Sequence, residues 1–203
     1  VTGVQTCALP IYANGRFTLD LNYTFTRGKG YAEAEHYAQH PLNGTRVAYS
    51  DKTSNTSTGT SHDIGVDLGY RIAEHHMVEL AYISNANFID SKNTTTGSSV
   101  SAQSSEGHNL LHNIGLYYTL PFGLRLNGAY TYYSSPRNQS LNGQLGADRR
   151  VVAAKSDQTI RKWLFTADQV HTLGHGWQLS YGLEWQTTNN KSYQTTLNDA
   201  GIV

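Results

Sequence analysis

Phe17-Thr18-Leu19-Asp20-Leu21-Asn22-Tyr23-Thr24-Phe25-Thr26 carries an apolar side chain at every odd position and a polar one at every even position. Successive side chains of a strand point to opposite faces, so this period of two describes a strand with one greasy face and one wet face. Six later stretches repeat it. Ile64, Val66, Leu68, Tyr70 and Ile72 alternate with Asp63, Gly65, Asp67, Gly69 and Arg71, and Val78, Leu80 and Tyr82 follow the short turn Ala73-Glu74-His75-His76. Leu110, Ile114, Leu116, Tyr118 and Leu120 lead through Pro121-Phe122-Gly123 to Leu124, Leu126, Tyr130 and Tyr132. Trp163, Phe165 and Ala167 share a face while Leu164 and Val170 fall on the other, which predicts a bulge. After the turn Leu173-Gly174-His175-Gly176, alternation returns in Trp177, Leu179, Tyr181, Leu183 and Trp185.

The connections between these stretches run long, short, long, short, long, short. The long ones are 28–58, 93–105 and 134–156, rich in Thr, Ser, Asn and Gly, with a short helix expected over 31–40 before Pro41. Brief turns on one side and long loops on the other are the rhythm of an outer-membrane barrel, whereas a soluble sandwich mixes turn lengths without phase. The expected fold is therefore all-β: an antiparallel up-and-down transmembrane β-barrel, present as about seven strands of a larger cylinder.

Aromatic placement agrees. Trp177 and Trp185 lie eight residues apart on one face, roughly 26 Å along a strand and close to the apolar band of a barrel once tilted. Tyr70, Tyr118 and Trp177 are expected in an inner aromatic girdle, and Tyr23, Tyr132, Trp163 and Trp185 in an outer one. On the polar face, Asp20, Asp67, Arg71, Glu79, Arg125, Asp168 and Glu184 are expected to line a lumen, as a selectivity surface or as a hydrated wall of ion pairs. Arg161 has the opposite parity near an outer strand end, within reach of lipid phosphates.

Composition excludes several functions. Lys plus Arg and Asp plus Glu are each 15, so there is no basic excess to neutralise nucleic-acid phosphates. No apolar run reaches the roughly 20 residues of a transmembrane helix, which leaves strand-spanning proteins untouched. The sole cysteine is Cys7. It belongs to residues 1–11, Val1-Thr2-Gly3-Val4-Gln5-Thr6-Cys7-Ala8-Leu9-Pro10-Ile11, which read as the in-frame translation of a short-read sequencing adapter. Residues 12–203 are then expected to be the native part, an internal fragment of the barrel domain without a cysteine to serve as ligand, nucleophile or disulfide.

Nine histidines raise the question of a metal. His36 and His40 have i, i+4 spacing beside Glu33 and Glu35, yet neither an H-E-x-x-H motif nor a pair of Glu-x-x-His motifs accompanies them, so no metal or cofactor site is assigned. His108 and His112 share the apolar parity near the outer rim, and His75, His76, His171 and His175 gather at the inner turns. No nucleophile elbow, P-loop, dinucleotide fingerprint or acid pair is present, so no enzyme is expected.

Three passages carry a family resemblance: His40-Pro41-Leu42-Asn43-Gly44-Thr45-Arg46, Ile160-Arg161-Lys162-Trp163-Leu164-Phe165-Thr166, and Gly174-His175-Gly176-Trp177-Gln178-Leu179-Ser180-Tyr181-Gly182. Residues 12–203 resemble the barrel part of outer-membrane β-barrel proteins of Bacteroidota related to TonB-dependent receptors. The resemblance implies an outer-membrane location and nutrient uptake driven by the TonB complex through an N-terminal plug. A surface substrate-binding lipoprotein is a further implied partner, and outer-membrane lipid the constant one. A passive porin-like channel or a surface adhesin would share these strands. A soluble β-sandwich binding module is the rival outside the membrane.

Overall fold

The structure, a computed structural model, describes residues 2–42, 44–145, 148–173, 176–198 and 201–202. The chain is all-β and folds as one antiparallel, up-and-down sheet. In chain order the strands are β1 (Thr2–Asn14), β2 (Phe17–Leu42), β3 (Thr45–Ala73), β4 (His76–Gly97), β5 (Val100–Thr119), β6 (Leu124–Ser134), β7 (Arg137–Leu145), β8 (Asp148–Leu173), β9 (Trp177–Asn198) and β10 (Gly201–Ile202). β6 and β7 are two halves of one strand. Both lie between β5 and β8, and the register runs on unshifted from Leu110 opposite Ser134 to Gly107 opposite Arg137. The interruption falls at Ser135-Pro136, where proline has no N–H for the ladder. The groups that can pair still do: Ser135 N–H donates to the Gln158 carbonyl at 2.8 Å, and the Pro136 carbonyl accepts from His108 N–H at 3.2 Å.

Three expectations are corrected. The long polar connections are strands rather than loops, and the helix over 31–40 is absent. β2 pairs with β3 without a shift from Phe17 opposite Tyr70 to Leu42 opposite Thr45. An isolated ten-residue helix is marginal in water, whereas a Thr-rich partner strand satisfies the same backbone groups on a surface that suits Thr and Tyr. The second and third excursions likewise zip up, as the ends of β4 and β5 and as β7 with the start of β8. Nor is there a bulge in β8: its pairing with β6 and β9 is continuous, and Leu164 and Val170 stay on the polar side.

The strands beyond the expected seven are β1 and the two-residue β10, which pairs with the end of β9. Thr2 to Leu9 pair with Gly28 to Leu21, and the register shifts between Leu9 and Tyr12, across Pro10-Ile11. Backbone ladders form whatever the side chains are, so this pairing is neutral on the origin of residues 1–11.

The inner turns are short. Ala73 pairs with His76 across Glu74-His75, and His75 takes a left-handed φ of 57°. A glycine there removes the Cβ penalty of that conformation. His75→Gly is expected to stabilise the β3–β4 hairpin by roughly 0.5–1 kcal/mol, read as an upward shift of the urea midpoint. The Gly174-His175 part of the next turn lies outside the described residues.

The sheet is a single layer. Among the described residues no apolar side chain is buried, and the one buried polar side chain is Ser84, 7% exposed. Among the described residues no second layer lies over either face.

Candidate functional site

Ladder register converts the alternation of each strand into two continuous faces. Phe17 stands opposite Tyr70, which stands opposite Val78, and the row continues through Tyr118, Leu126, Ala167 and Leu183. The next rows outward start at Leu19, Leu21 and Tyr23. The Leu19 row runs Leu68, Leu80, Leu116, Gly128, Phe165 and Trp185; the Leu21 row runs Val66, Tyr82, Ile114, Tyr130, Trp163 and Thr187. These rows make an apolar band crossing the sheet from β2 to β9, and it is uncovered, with Leu183 80% and Trp177 73% exposed. Aromatic rings mesh along it. Tyr130 and Trp163 have centroids 4.5 Å apart, and Phe165 and Trp185 are at 5.5 Å. Such pairs add about 0.5–1.5 kcal/mol beyond area burial.

All seven girdle candidates lie on this face. Tyr70 and Tyr118 share the innermost of these rows, and Tyr23 and Tyr132 share the outermost. Trp163, Trp177 and Trp185 lie on the same face but off those rows, and the displacement is systematic. On β2 the band runs from Phe17 to Phe25. The residues of β9 level with them are Leu183 and Lys191, whereas the band of β9 runs from Trp177 to Trp185. The offset is six residues at both rims, accumulated over six strand-to-strand steps. One residue of about 3.3 Å per strand spacing of about 4.8 Å is a slope of roughly 35°. A band level with one plane can drift against the ladder at this rate only if the strands cross that plane at that tilt, and 35–45° is the tilt of closed barrels.

The opposite face carries all seven polar candidates. Asp20 faces Asp67, Arg125 faces Asp168, Arg71 faces Met77, Glu79 lies between Gly69 and Tyr117, and Glu184 faces Thr166. No ion pair forms between oppositely charged members of the seven, and hydrogen-bonded amides and hydroxyls lie on the same face. Asn85 donates to Asp63 at 2.5 Å and to Ser61 at 3.2 Å, Asn113 donates to Thr131 at 2.7 Å, and Ser135 donates to Asn109 at 2.7 Å.

Glycines divide unequally between the faces. In the rows of the band, Gly65, Gly69, Gly115 and Gly182 stand on the polar face and Gly128 alone on the apolar one. A Cβ on Gly65 would meet the Asn22 side chain at 2.4 Å, on Gly69 the Thr18 hydroxyl at 2.3 Å, and on Gly182 the Asp168 carboxylate at 2.3 Å. Neighbouring side chains lie over these glycines, which is the crowding expected on the inside of a curving sheet.

Histidine–tyrosine pairs stand at both rims of the band, a feature sequence reasoning missed. On the outer side Tyr23 bonds His62 and Tyr82 bonds His112, both at 2.8 Å; on the inner side His76 bonds Tyr118 at 2.6 Å, and a fourth pair, His171 with Tyr181 at 2.8 Å, lies within the band of β9. The parity of His62 with Ile64 was the available signal. His36, expected on a helix with His40, sits in the extended strand β2, where Cα atoms four residues apart are about 13 Å from one another instead of one helical turn. Among the described residues no cluster of metal-ligating side chains occurs.

Beyond the band the hairpins continue outward with polar side chains on both faces. Lys52 pairs with Glu33 and, at 3.8 Å, with Glu35. The Glu33 hydrogen bond raises the Lys52 pKa, and that of Lys52 lowers the Glu33 pKa. At the β4–β5 tip, Asp51 accepts from Ser99 N–H at 2.8 Å and from the Ser99 hydroxyl at 3.0 Å. The Ser99 backbone bond chiefly holds the Asp51 carboxyl below its ordinary value. A lowered carboxylate pKa contributes stability above the unfolded value, near 3.9, that is lost as pH falls through the folded value. Amide exchange at Ser99 is therefore expected to accelerate below about pH 4 beyond its intrinsic pH dependence, an excess that Asp51→Asn removes.

No protein-family model and no curated protein matches the chain. Among solved structures, the crystal structure of Pseudomonas aeruginosa OccK10 (OpdN) is similar at 8% identity over 96% of this chain and 92% of that one, with a TM-score of 0.18. A double mutant of the Serratia marcescens hemophore receptor HasR, in complex with its hemophore HasA and heme, is similar at 6% identity with a TM-score of 0.27. That likeness covers 97% of this chain and 41% of the receptor's. Likeness this slight assigns neither family nor function.

Proposed function

We propose that the sheet is an arc of an outer-membrane β-barrel, with its apolar face toward lipid and its polar face toward the interior, in a receptor-type nutrient transporter. The six-residue offset between the band and the ladder carries this reading, because it yields a barrel tilt without assuming one. Two further features support it. The glycines gather on the polar face, as on the inside of a curve, and His–Tyr pairs at the rims stand where a side chain needs one apolar end and one wet end. A soluble sandwich would cover the band with a second sheet, and a dry inter-sheet core gives no reason for polar pairs at both rims.

The receptor reading rests on the family resemblance, with Asp20, Asp67, Arg71, Glu79, Arg125, Asp168 and Glu184 facing a plug or channel. In that reading the TonB complex acts through the plug. The outward hairpins support a role in capture, since Leu42 lies seventeen residues past Phe25, roughly 55 Å along the strand. That is tall enough to meet a substrate or a surface lipoprotein. The experiment is reconstitution into phosphatidylethanolamine–phosphatidylglycerol vesicles, flotation and an alkaline wash. Chain that stays with the vesicles supports the membrane reading; a soluble, cooperatively melting monomer that never floats overturns it.

A further inference from the structure

Most of the outer rim of the band is bounded by neutral and imidazole side chains, but at β8 it turns cationic with Arg161, and on β9 Lys191 stands six residues outward of Trp185. Arg161 sits two residues outward of Trp163 on the apolar face, with its guanidinium carbon 6.0 Å from the Tyr132 ring centroid. Tyr132 in turn stacks on His112, centroids 6.3 Å apart, and Asn189 stands directly opposite Arg161. On the same face the next outward pair is Thr159 opposite Lys191, which makes Lys191 the diagonal neighbour of Arg161. Among the described residues no carboxylate lies within 4 Å of Arg161 or Lys191. Asp157, the nearest acid along β8 on that face, is four residues outward of Arg161, about 13 Å, and is the outward diagonal neighbour of Lys191.

We infer that Arg161 and Lys191, flanked by Asn189, Thr159 and His112, form a site for the phosphate of an anionic lipid in the outer leaflet. The inference rests on the membrane reading above. The ligand class follows from placement. The acyl chains of a bound lipid lie along Trp163, Phe165 and Trp185, so its headgroup reaches the level at which Arg161 leaves the band. A guanidinium presents a planar fork of N–H donors that matches two phosphate oxygens. Tyr132 holds that fork from the other side through its ring face. Lys191 adds a second charge about one residue pair higher, where a glycolipid phosphate borne on a sugar would stand.

The test incorporates the full chain into phosphatidylcholine vesicles doped with diphosphoryl lipid A, with its dephosphorylated form, or with neither, and measures glycolipid retained after detergent exchange. The inference expects preferential retention of the phosphorylated form. The Arg161→Ala/Lys191→Ala double variant is expected to lose about tenfold of it, of the order of one charge-assisted hydrogen bond. Lys162→Ala, next in sequence but on the polar face, is expected to change nothing. Equal retention of both lipids, or equal loss in the Lys162 variant, overturns the inference while leaving the membrane reading intact. Competition by millimolar inorganic phosphate as effective as by lipid would assign free phosphate instead and overturn the lipid site. Chain that fails to enter any vesicle overturns both.

Discussion

Leu116→Arg is expected to cost about 2–4 kcal/mol of folding free energy in a bilayer, the cost of an arginine at the midplane of a barrel's lipid face. Leu116 lies near the middle of the stretch of β5 that crosses the band, on the apolar face between Leu80 and Gly128, and is half exposed with no protein over it. Arginine at such a position in water would change little, since nothing there is displaced. In lipid the same side chain must carry its charge into hydrocarbon, a shift of roughly 30- to 1000-fold in the folded population. Two controls give the comparison its meaning. Asn113→Arg lies on the polar face of the same strand and is expected to stay within about 0.5 kcal/mol. Leu110→Arg shares the apolar face but stands at the outer rim, where the penalty falls to about 0–1 kcal/mol. Urea unfolding in vesicles of fixed acyl length, followed by tryptophan emission, reads all three. The gradient from Leu116 to Leu110 separates a bilayer from a protein core.

Gly97→Ala is expected to have the second largest effect, at the far end of the molecule. Gly97 ends β4 with a φ of 133°, a region L side chains rarely adopt, and an added Cβ would lie 2.1 Å from the Ser50 carbonyl. That neighbour is backbone and cannot swing aside. The same carbonyl accepts from Ser98 N–H at 3.0 Å, next to the two bonds from Ser99 to Asp51, so displacing it undoes the seat of the β4–β5 tip on β3. Strain of this kind costs about 1–3 kcal/mol. Hydrogen exchange at Ser98 and Ser99 should quicken by as much as a hundredfold, while the band strands keep their protection. Unchanged exchange at both amides would contradict the tip geometry.

Which side chains share a face was legible in the sequence, because alternation survives wherever one face is apolar and the other polar. Asp20, Asp67 and Glu184 were placed with their neighbours for that reason. Strand length was not legible. From Gly28 to Leu42 and from Thr45 to Thr58 both faces are polar, so there is no alternation to read, and the pairing depends on a partner strand rather than on local pattern. The β8 irregularity misled in the opposite sense. Leu164 on the polar face suggested a bulge, yet the ladder holds and Leu164 stands opposite Ala129 and Gln186. Cross-strand partners, such as Arg125 with Asp168 or Tyr23 with His62, depend on register, which no single strand encodes. The same holds for the tilt: each strand showed its own apolar span, but the six-residue offset exists only between strands.

Trp163, Trp177 and Trp185 are the only tryptophans of the chain, and all three stand on the band, so native fluorescence reports directly on what that face touches. The decisive measurement is their quenching in vesicles whose lipids carry bromine on the acyl chains, set against quenching by iodide in the aqueous phase. Apolar rows turned toward hydrocarbon predict strong quenching by the brominated lipids and weak quenching by iodide. The reverse, with emission untouched by brominated chains and suppressed by iodide, would mean that the apolar face does not meet lipid, and the barrel account would be wrong.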